Sequence, residues 1–491
     1  MNGHLLNKTE KDFIFSPWTI TGFLGSAIAS YFGSGLLAPN APRWWYQDSW
    51  PTPLAEREVF FYIGIFLLCF SWLAKALILR GLLSEKSGLK VALGAKAVWP
   101  VIVLWALPFI LGPSLFSQDM YSYLAQGELW RLGQNPYTVP PTVLIIFRQL
   151  PLLHAVSPFW RNTTSPYGPL FVAISGYVYD LSGQNLTVAI TLLRLVECAG
   201  MVMGGYFLLR MAGDKADSAS LLWLGIGSPL VLLDLIAPGH NDALMIGLVI
   251  LGVFLATKNR LGWAFFVLGI AVMVKAPAAL AALLIAVCIA RSNPPKWKEK
   301  IAAFVVMDGV LIGWLSFVLG VGLDWAGTNI LNAPGKVHIA TTLSTQFGVL
   351  FSDLFSRVSP YFAVDYMSSI FSKINLAIFV LLLLYFILRT RWDNLTTNLA
   401  LVFLLSVLLG PATWPWYLTW GIVFLLLDKR ALQSLATPVF IVVMSVLIKP
   451  NGILAIPSQY APDVLALLLV SVVWYLARSR SVKKRMLSDA I

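Results

Sequence analysis

Asp119 stands where an apolar stretch, residues 99–111, gives way to a polar loop dense in aromatic and amide side chains. Around it runs Ser117-Gln-Asp-Met-Tyr-Ser-Tyr-Leu-Ala-Gln-Gly-Glu-Leu-Trp130, then Gly133-Gln-Asn-Pro-Tyr137 and Ser165-Pro-Tyr-Gly-Pro169. Partial desolvation at a lipid boundary raises the proton affinity of a carboxylate. Such a group can take a hydroxyl proton while the oxygen forms a new bond, which is the work of a general base. A loop carboxylate also serves as a rim charge or a helix N-cap, so both readings stand. Gln118, next to the acid, belongs to the same chemistry-bearing run, as does Tyr123. Glu128 is expected to be structural, paired with Arg131.

A second polar group is His240-Asn241-Asp242, which follows Pro238-Gly239 and opens an apolar helix. Asn241 and Asp242 are ordinary capping residues there. The same helix start, with its positive dipole end and a His donor, also suits a phosphate, or the triplet can hydrogen-bond a sugar. A metal is a poorer fit, since His240 has no His or Glu at helical spacing. Lys275 precedes Ala276-Pro277 inside an apolar run, and Pro277 breaks the helix and frees backbone groups. An intramembrane lysine either serves a polar cavity or snorkels to the interface. Arg194 either faces that cavity or pairs with Glu197 one turn along. Tyr167 and Trp414-Pro-Trp416-Tyr417 belong to an aromatic membrane belt or form walls for a sugar or lipid chain. Lys336 and His338 are weaker phosphate or acceptor candidates.

The elements that must position these groups are membrane helices. Of 491 residues, 58% are hydrophobic and 12% charged, about half the charge of an ordinary soluble domain. Apolar stretches from 18–37 to 464–476 predict an all-α polytopic membrane protein with about 12–14 transmembrane helices. Residues 170–179 are too short to cross and are expected to form a re-entrant or interfacial half-helix. No soluble stretch reaches domain size, so residues 1–491 read as one membrane domain. Its first large outer loop is 113–169, and a second outer region is 324–372.

The net charge of +12 would suggest nucleic acid in a soluble protein; here it marks cytoplasmic loops. With both termini inside, the inner segments hold 23 of the 35 Lys and Arg residues. That bias predicts N-in, C-in, with the polar clusters gathered on the outer face. The basic run 478–485 reads as an inner-leaflet anchor. Cys69, Cys198 and Cys288 lie in apolar stretches without ligand or disulfide spacing.

Taken in order, Gln118-Asp119-Met-Tyr-Ser-Tyr with Gln126-Gly127, Asn135-Pro-Tyr, Ser165-Pro-Tyr-Gly-Pro169, His240-Asn-Asp242, Val274-Lys-Ala-Pro277 and Pro415-Trp-Tyr417 resemble a known family. They look like the polyprenol-phosphate-mannose-dependent α-(1→6)-mannosyltransferases of lipomannan and lipoarabinomannan assembly. The resemblance implies a GT-C glycosyltransferase fold with its active site on the extracytoplasmic face of the cell membrane. It implies an inverting transfer from a polyprenyl-phosphate-mannose lipid to a mannan on a phosphatidylinositol-mannoside anchor, with no metal or other cofactor. Asp119 then matches the essential acid of the first outer loop and acts as base. Lys275, Arg194, Arg161 and His240 are the groups for the donor phosphate. Gln118, Tyr123, Tyr167, Asn241, Asp242, Trp414, Trp416 and Tyr417 are those for sugar and acceptor.

Two rivals remain: a GT-C enzyme with another lipid-linked sugar such as arabinofuranose, and a lipid-linked sugar flippase or transporter. The chain shows no internal repeat and no inverted pair of broken helices, which weakens the transporter.

Overall fold

The computed structural model describes residues 7–37, 44, 53–82, 93–213, 217–292, 295–327, 342–355, 357, 363–449 and 452. The expected span 464–476, the basic run 478–485, Lys336 and His338 lie outside them.

The described residues are helical and contain no strand. Six helices are long and apolar enough to cross a bilayer: Lys8–Gly33, Ala55–Leu79, Leu186–Ala212, Ser218–Ile236, Trp297–Val318 and Val364–Arg389. Eight shorter apolar helices of 10–17 residues complete the described bundle, including Pro169–Leu181 where the half-helix is expected. Ser218–Ile236 is wholly enclosed, whereas Trp297–Val318 and Val364–Arg389 turn most of their surface outward. Exposed Val306, Trp314, Phe317, Leu381 and Leu388 on those two helices suit lipid chains as neighbours.

The intramembrane Lys75 has a local explanation. Its ammonium donates to the Phe13 carbonyl (2.6 Å) and the Ser16 hydroxyl (2.9 Å), closing the carbonyl end of helix Lys8–Ile14.

Three consecutive helices separate the basic loops from the polar clusters. Asp242–Thr257 starts at Asp242 and runs to Lys258; Leu261–Val274 returns to Lys275; Ala279–Ser292 leaves again and carries Arg291 in its last turn. At ~1.5 Å per residue, Lys258, Arg260 and Arg291 lie roughly 20 Å along the bundle from Asp242 and Lys275.

The loop 113–169 is folded rather than extended. Helix Asp119–Arg131 packs across Pro169–Leu181 where Gly127 meets Gly176. Buried Glu128 accepts from Arg131 Nε (2.9 Å), as the spacing predicts, and from Gln149 Nε2 (3.2 Å). Arg131 also reaches Asp180 (2.9 Å), while Asn135 Nδ2 donates to Asp324 (2.7 Å). These bonds fix the far end of the helix that carries Asp119 at its start.

Candidate active site

Asp119 is the first residue of its helix, with Gln118 at the N-cap. Its backbone N–H donates to Ser117 Oγ (3.1 Å), and the helix start favours a negative charge on its side chain. Just before it, Phe116 adopts a left-handed backbone (φ 64°), a strained conformation for a bulky side chain. The turn is held from behind. Ser114 Oγ donates to the Ser117 carbonyl (2.9 Å), and Leu115 N–H reaches the Ala237 carbonyl (3.4 Å) at the approach to His240.

Arg194 explains how both turns stay in place. It is fully buried, and its guanidinium donates to the carbonyls of Gly112, Pro113 (2.7 Å) and Ala237. It does not line the cavity described below, so its placement is that of a clamp rather than a phosphate ligand. Arg161 likewise donates to the backbone of Val156 (3.0 Å) and His154 (2.8 Å) and stays outside the cavity lining. An ammonium cannot reproduce the planar fork at Arg194. Arg194→Lys is therefore expected to destabilise the protein by about 3 kcal/mol, two charge-assisted hydrogen bonds' worth, as read by thermal unfolding in detergent.

Lys275 follows the helix break that Pro277 enforces: Leu261–Val274 ends, Lys275 is extended, and Ala276–Ala278 forms one 3-10 turn. Its ammonium does not snorkel away. It contacts both oxygens of Asp242 at 2.8 Å, lies 4.5 Å above the Tyr417 ring, and is 12% exposed. Asp242 is fully buried and also accepts from Trp420 Nε1 (2.6 Å). The capping reading of His240-Asn241-Asp242 is not realised, because neither the N-cap Asn241 nor Asp242 makes a side-chain cap bond there.

Aromatic rings complete the walls. Trp414 stacks on Trp416 (4.8 Å, 9°), and Trp416 stacks on the buried His240 ring (4.0 Å, 22°). Tyr123 meets Tyr167 edge-on at 4.6 Å, and Tyr137 OH donates to the Tyr167 carbonyl (2.8 Å). The Ser165–Pro169 motif reaches the site through Gly168, whose N–H donates to the Val274 carbonyl (3.1 Å). A Cβ on Gly168 would lie 2.0 Å from the Met273 carbonyl oxygen. Gly168→Val should therefore push Tyr167 and Lys275 apart, costing about 1–3 kcal/mol in unfolding experiments and lowering activity with it.

These groups surround a cavity of about 460 Å³. Of the residues expected from sequence, Gln118, Asp119, Tyr167, Lys275, Trp414, Trp416 and Tyr417 line it. Tyr123, His240, Asn241 and Asp242 do not; all four are buried beside or beneath the lining. Sequence reasoning passed over Ser117, Trp160, Phe379 and Trp420, which also line it. Trp420 was within reach, since it lies one helical turn beyond Trp416 and Tyr417. The lining also includes the apolar side chains of Leu37, Pro277, Leu280, Phe379 and Val407.

Burial raises the Asp119 carboxyl above its usual range, and the nearby charge of Lys275 only partly opposes this. Burial lowers the His240 imidazole below its ordinary value, against the pull of Asp119 and Asp242. Among the described residues no group of three His, Cys, Asp or Glu side chains is placed to hold a metal ion.

A family model described as "Alpha-(1->6)-mannopyranosyltransferase, N-terminal domain" matches residues 19–291, and one described as "MptB C-terminal domain" matches residues 341–478. The cavity draws on both segments: Asp119, Tyr167 and Lys275 from the first, Phe379, Trp414, Trp416, Tyr417 and Trp420 from the second. Alpha-(1->6)-mannopyranosyltransferase A of Mycobacterium tuberculosis is 31% identical over 366 residues, covering 71% of this chain and 69% of its own length. The protein of the same description from Corynebacterium glutamicum is 28% identical, covering 63% and 66% respectively. Alpha-(1->6)-mannopyranosyltransferase B of Corynebacterium glutamicum is 24% identical, covering 82% and 71%. No solved structure matches the chain.

Proposed function

This chain belongs to the alpha-(1→6)-mannopyranosyltransferase family, and from that premise we propose that it moves mannose from a polyprenyl-phosphate-mannose lipid to the 6-hydroxyl of an α-(1→6)-mannan. One observation carries this reading: the Asp119 carboxylate and the Lys275 ammonium border a single cavity whose lining is otherwise largely aromatic and apolar. A base, a phosphate-sized cation, a surface for a sugar ring and a surface for a lipid chain are what a lipid-phosphate sugar and a hydroxyl acceptor require.

The chemistry follows from those positions. Asp119 takes the proton of the acceptor 6-hydroxyl. The oxygen keeps the electron pair of that O–H bond and attacks the anomeric carbon. The bond from that carbon to the phosphate oxygen breaks, and its electron pair leaves with the lipid phosphate. In-line attack inverts the centre, so a β-linked donor yields an α-linkage. Lys275, held by Asp242, meets the charge that develops on the phosphate. Tyr167, Trp414, Trp416 and Tyr417 enclose the sugar, while Leu280, Phe379 and Val407 accompany the polyprenyl chain. We take the end bearing Lys258, Arg260 and Arg291 as cytoplasmic, which puts the site on the extracytoplasmic face of the cell membrane. There the acceptor would be the growing mannan of lipomannan and lipoarabinomannan on its phosphatidylinositol-mannoside anchor.

The test is transfer by purified protein from polyprenyl-phosphate mannose to a short α-1,6-mannoside, with and without EDTA. Product that forms equally with EDTA supports a metal-independent mannosyltransferase. Transfer that stops with EDTA overturns the metal-free mechanism. Donor binding without product points to another acceptor or sugar, and movement of lipid-linked sugar across vesicles without product points to a transporter.

A further inference from the structure

His240 faces the base without lining the cavity. Its Nδ1 lies 2.6 Å from the backbone carbonyl of Asp234. A carbonyl oxygen only accepts, so Nδ1 carries a proton. In the neutral ring, Nε2 is then a bare acceptor, and it lies 3.6 Å from Asp119 Oδ2. The stack on Trp416 fixes the plane of the ring, and the Asp234 carbonyl fixes its rotation. The charged groups around it are Asp119 and Asp242 on one side of the balance and Lys275 on the other. Full burial disfavours an imidazolium, and the lowered proton affinity of the ring agrees with this.

Two lone pairs therefore face each other while Asp119 is ionised, and no hydrogen bond joins them. Once the carboxyl gains a proton, Oδ2–H can donate to Nε2. That bond exists only as the proton arrives, so it favours the transition state over the ground state.

Resting on the mannosyltransferase reading above, we propose that His240 is the positioning residue of the base: a neutral imidazole, locked as the Nδ1–H tautomer, that accepts a hydrogen bond from Asp119 once Asp119 holds the acceptor's proton. The proton leaves the acceptor oxygen, lands on Oδ2, is shared with Nε2, and returns to solvent after the product leaves. His240 thus acts on the base, whereas the sequence alone suggested the donor phosphate.

His240→Phe keeps a ring against Trp416 and removes Nε2. It is expected to lower kcat by roughly 2- to 10-fold, the worth of one neutral hydrogen bond. The donor KM should change by no more than about twofold. The acidic limb of the kcat–pH profile should move to lower pH, because the acid form of Asp119 loses its acceptor. A rise in donor KM with kcat and the pH profile unchanged would overturn the proposal in favour of a phosphate ligand. An independent readout is ¹⁵N-histidine NMR of the wild-type protein in detergent at pH 7, with the His240 signal identified by its loss in His240→Phe. A neutral ring protonated at Nδ1 is expected; an Nε2–H tautomer or an imidazolium would sink the idea. The spectrum needs no sugar. If wild-type protein transfers no mannose but His240 shows the expected tautomer, the functional reading fails while the geometry of the pair stands.

Discussion

Asp119→Asn is expected to lower kcat by on the order of 10³-fold or more, with donor binding retained. The substitution is nearly isosteric. It leaves the backbone bond to Ser117 and the helix start untouched, and it removes only the ability to take a proton. The protein should fold at least as well as wild type. Burial raises the folded-state proton affinity of Asp119 above that of the unfolded chain, so ionisation of this group works against the fold. The stability tied to the protonated form is present at low pH and lost as pH rises through the raised value. The wild-type rate should show the opposite limb, falling as pH drops through a value above the ordinary ~3.9 of an aspartate. Single-turnover transfer across pH, with thermal unfolding as a control, checks all three. An Asp119→Asn protein that transfers mannose at the wild-type rate would remove Asp119 from the role of base.

Lys275→Met should have two effects of different origin. Met has nearly the length of Lys but no charge, so the developing charge on the phosphate loses its partner, for a loss of roughly 10²- to 10³-fold in kcat. The same change strands the fully buried Asp242, which keeps the Trp420 indole N–H but loses its counter-charge. Breaking a buried pair in this way costs about 3–5 kcal/mol. Pairing the change with Asp242→Asn separates the two effects. The double variant should regain most of the stability, since no uncompensated carboxylate is left, while its rate stays low. Recovery of both would make Lys275 purely structural; recovery of neither would mean that an uncompensated Asp242 carboxylate is not the source of the lost stability.

Much of this site is written in local sequence. The bond from Arg131 to Glu128 needs only a helix, because residues three apart share a face. The break at Lys275 needs only Pro277, which has no N–H to give the helix. The acid at the head of a polar loop and the polar clusters around His240, Lys275 and Trp414 mark the region of chemistry before any folding is considered. Long continuous apolar runs dictate a helical membrane protein, since a bilayer leaves the backbone only its own groups as partners and a barrel strand would alternate apolar with polar.

What the chain could not state in one dimension is which polar group faces which. Arg194 reads as a cavity cation, yet it closes over the carbonyls of Gly112, Pro113 and Ala237, groups that every sequence possesses and none advertises. His240 reads as a phosphate donor until its two ring nitrogens are seen against Asp234 and Asp119. Trp420 finds Asp242 across 178 residues. Phe379 joins the cavity from a helix whose surface is otherwise mostly outward. Apolar side chains look alike whether they meet lipid or protein, so periodicity does not tell the inward face of a membrane helix from the outward one. Composition and local spacing thus determine the helices, their breaks and the residue types of the site. Only the packing of the helices decides whether a charge meets the substrate, another charge or the backbone, because those contacts depend on approach in space between segments far apart in the chain.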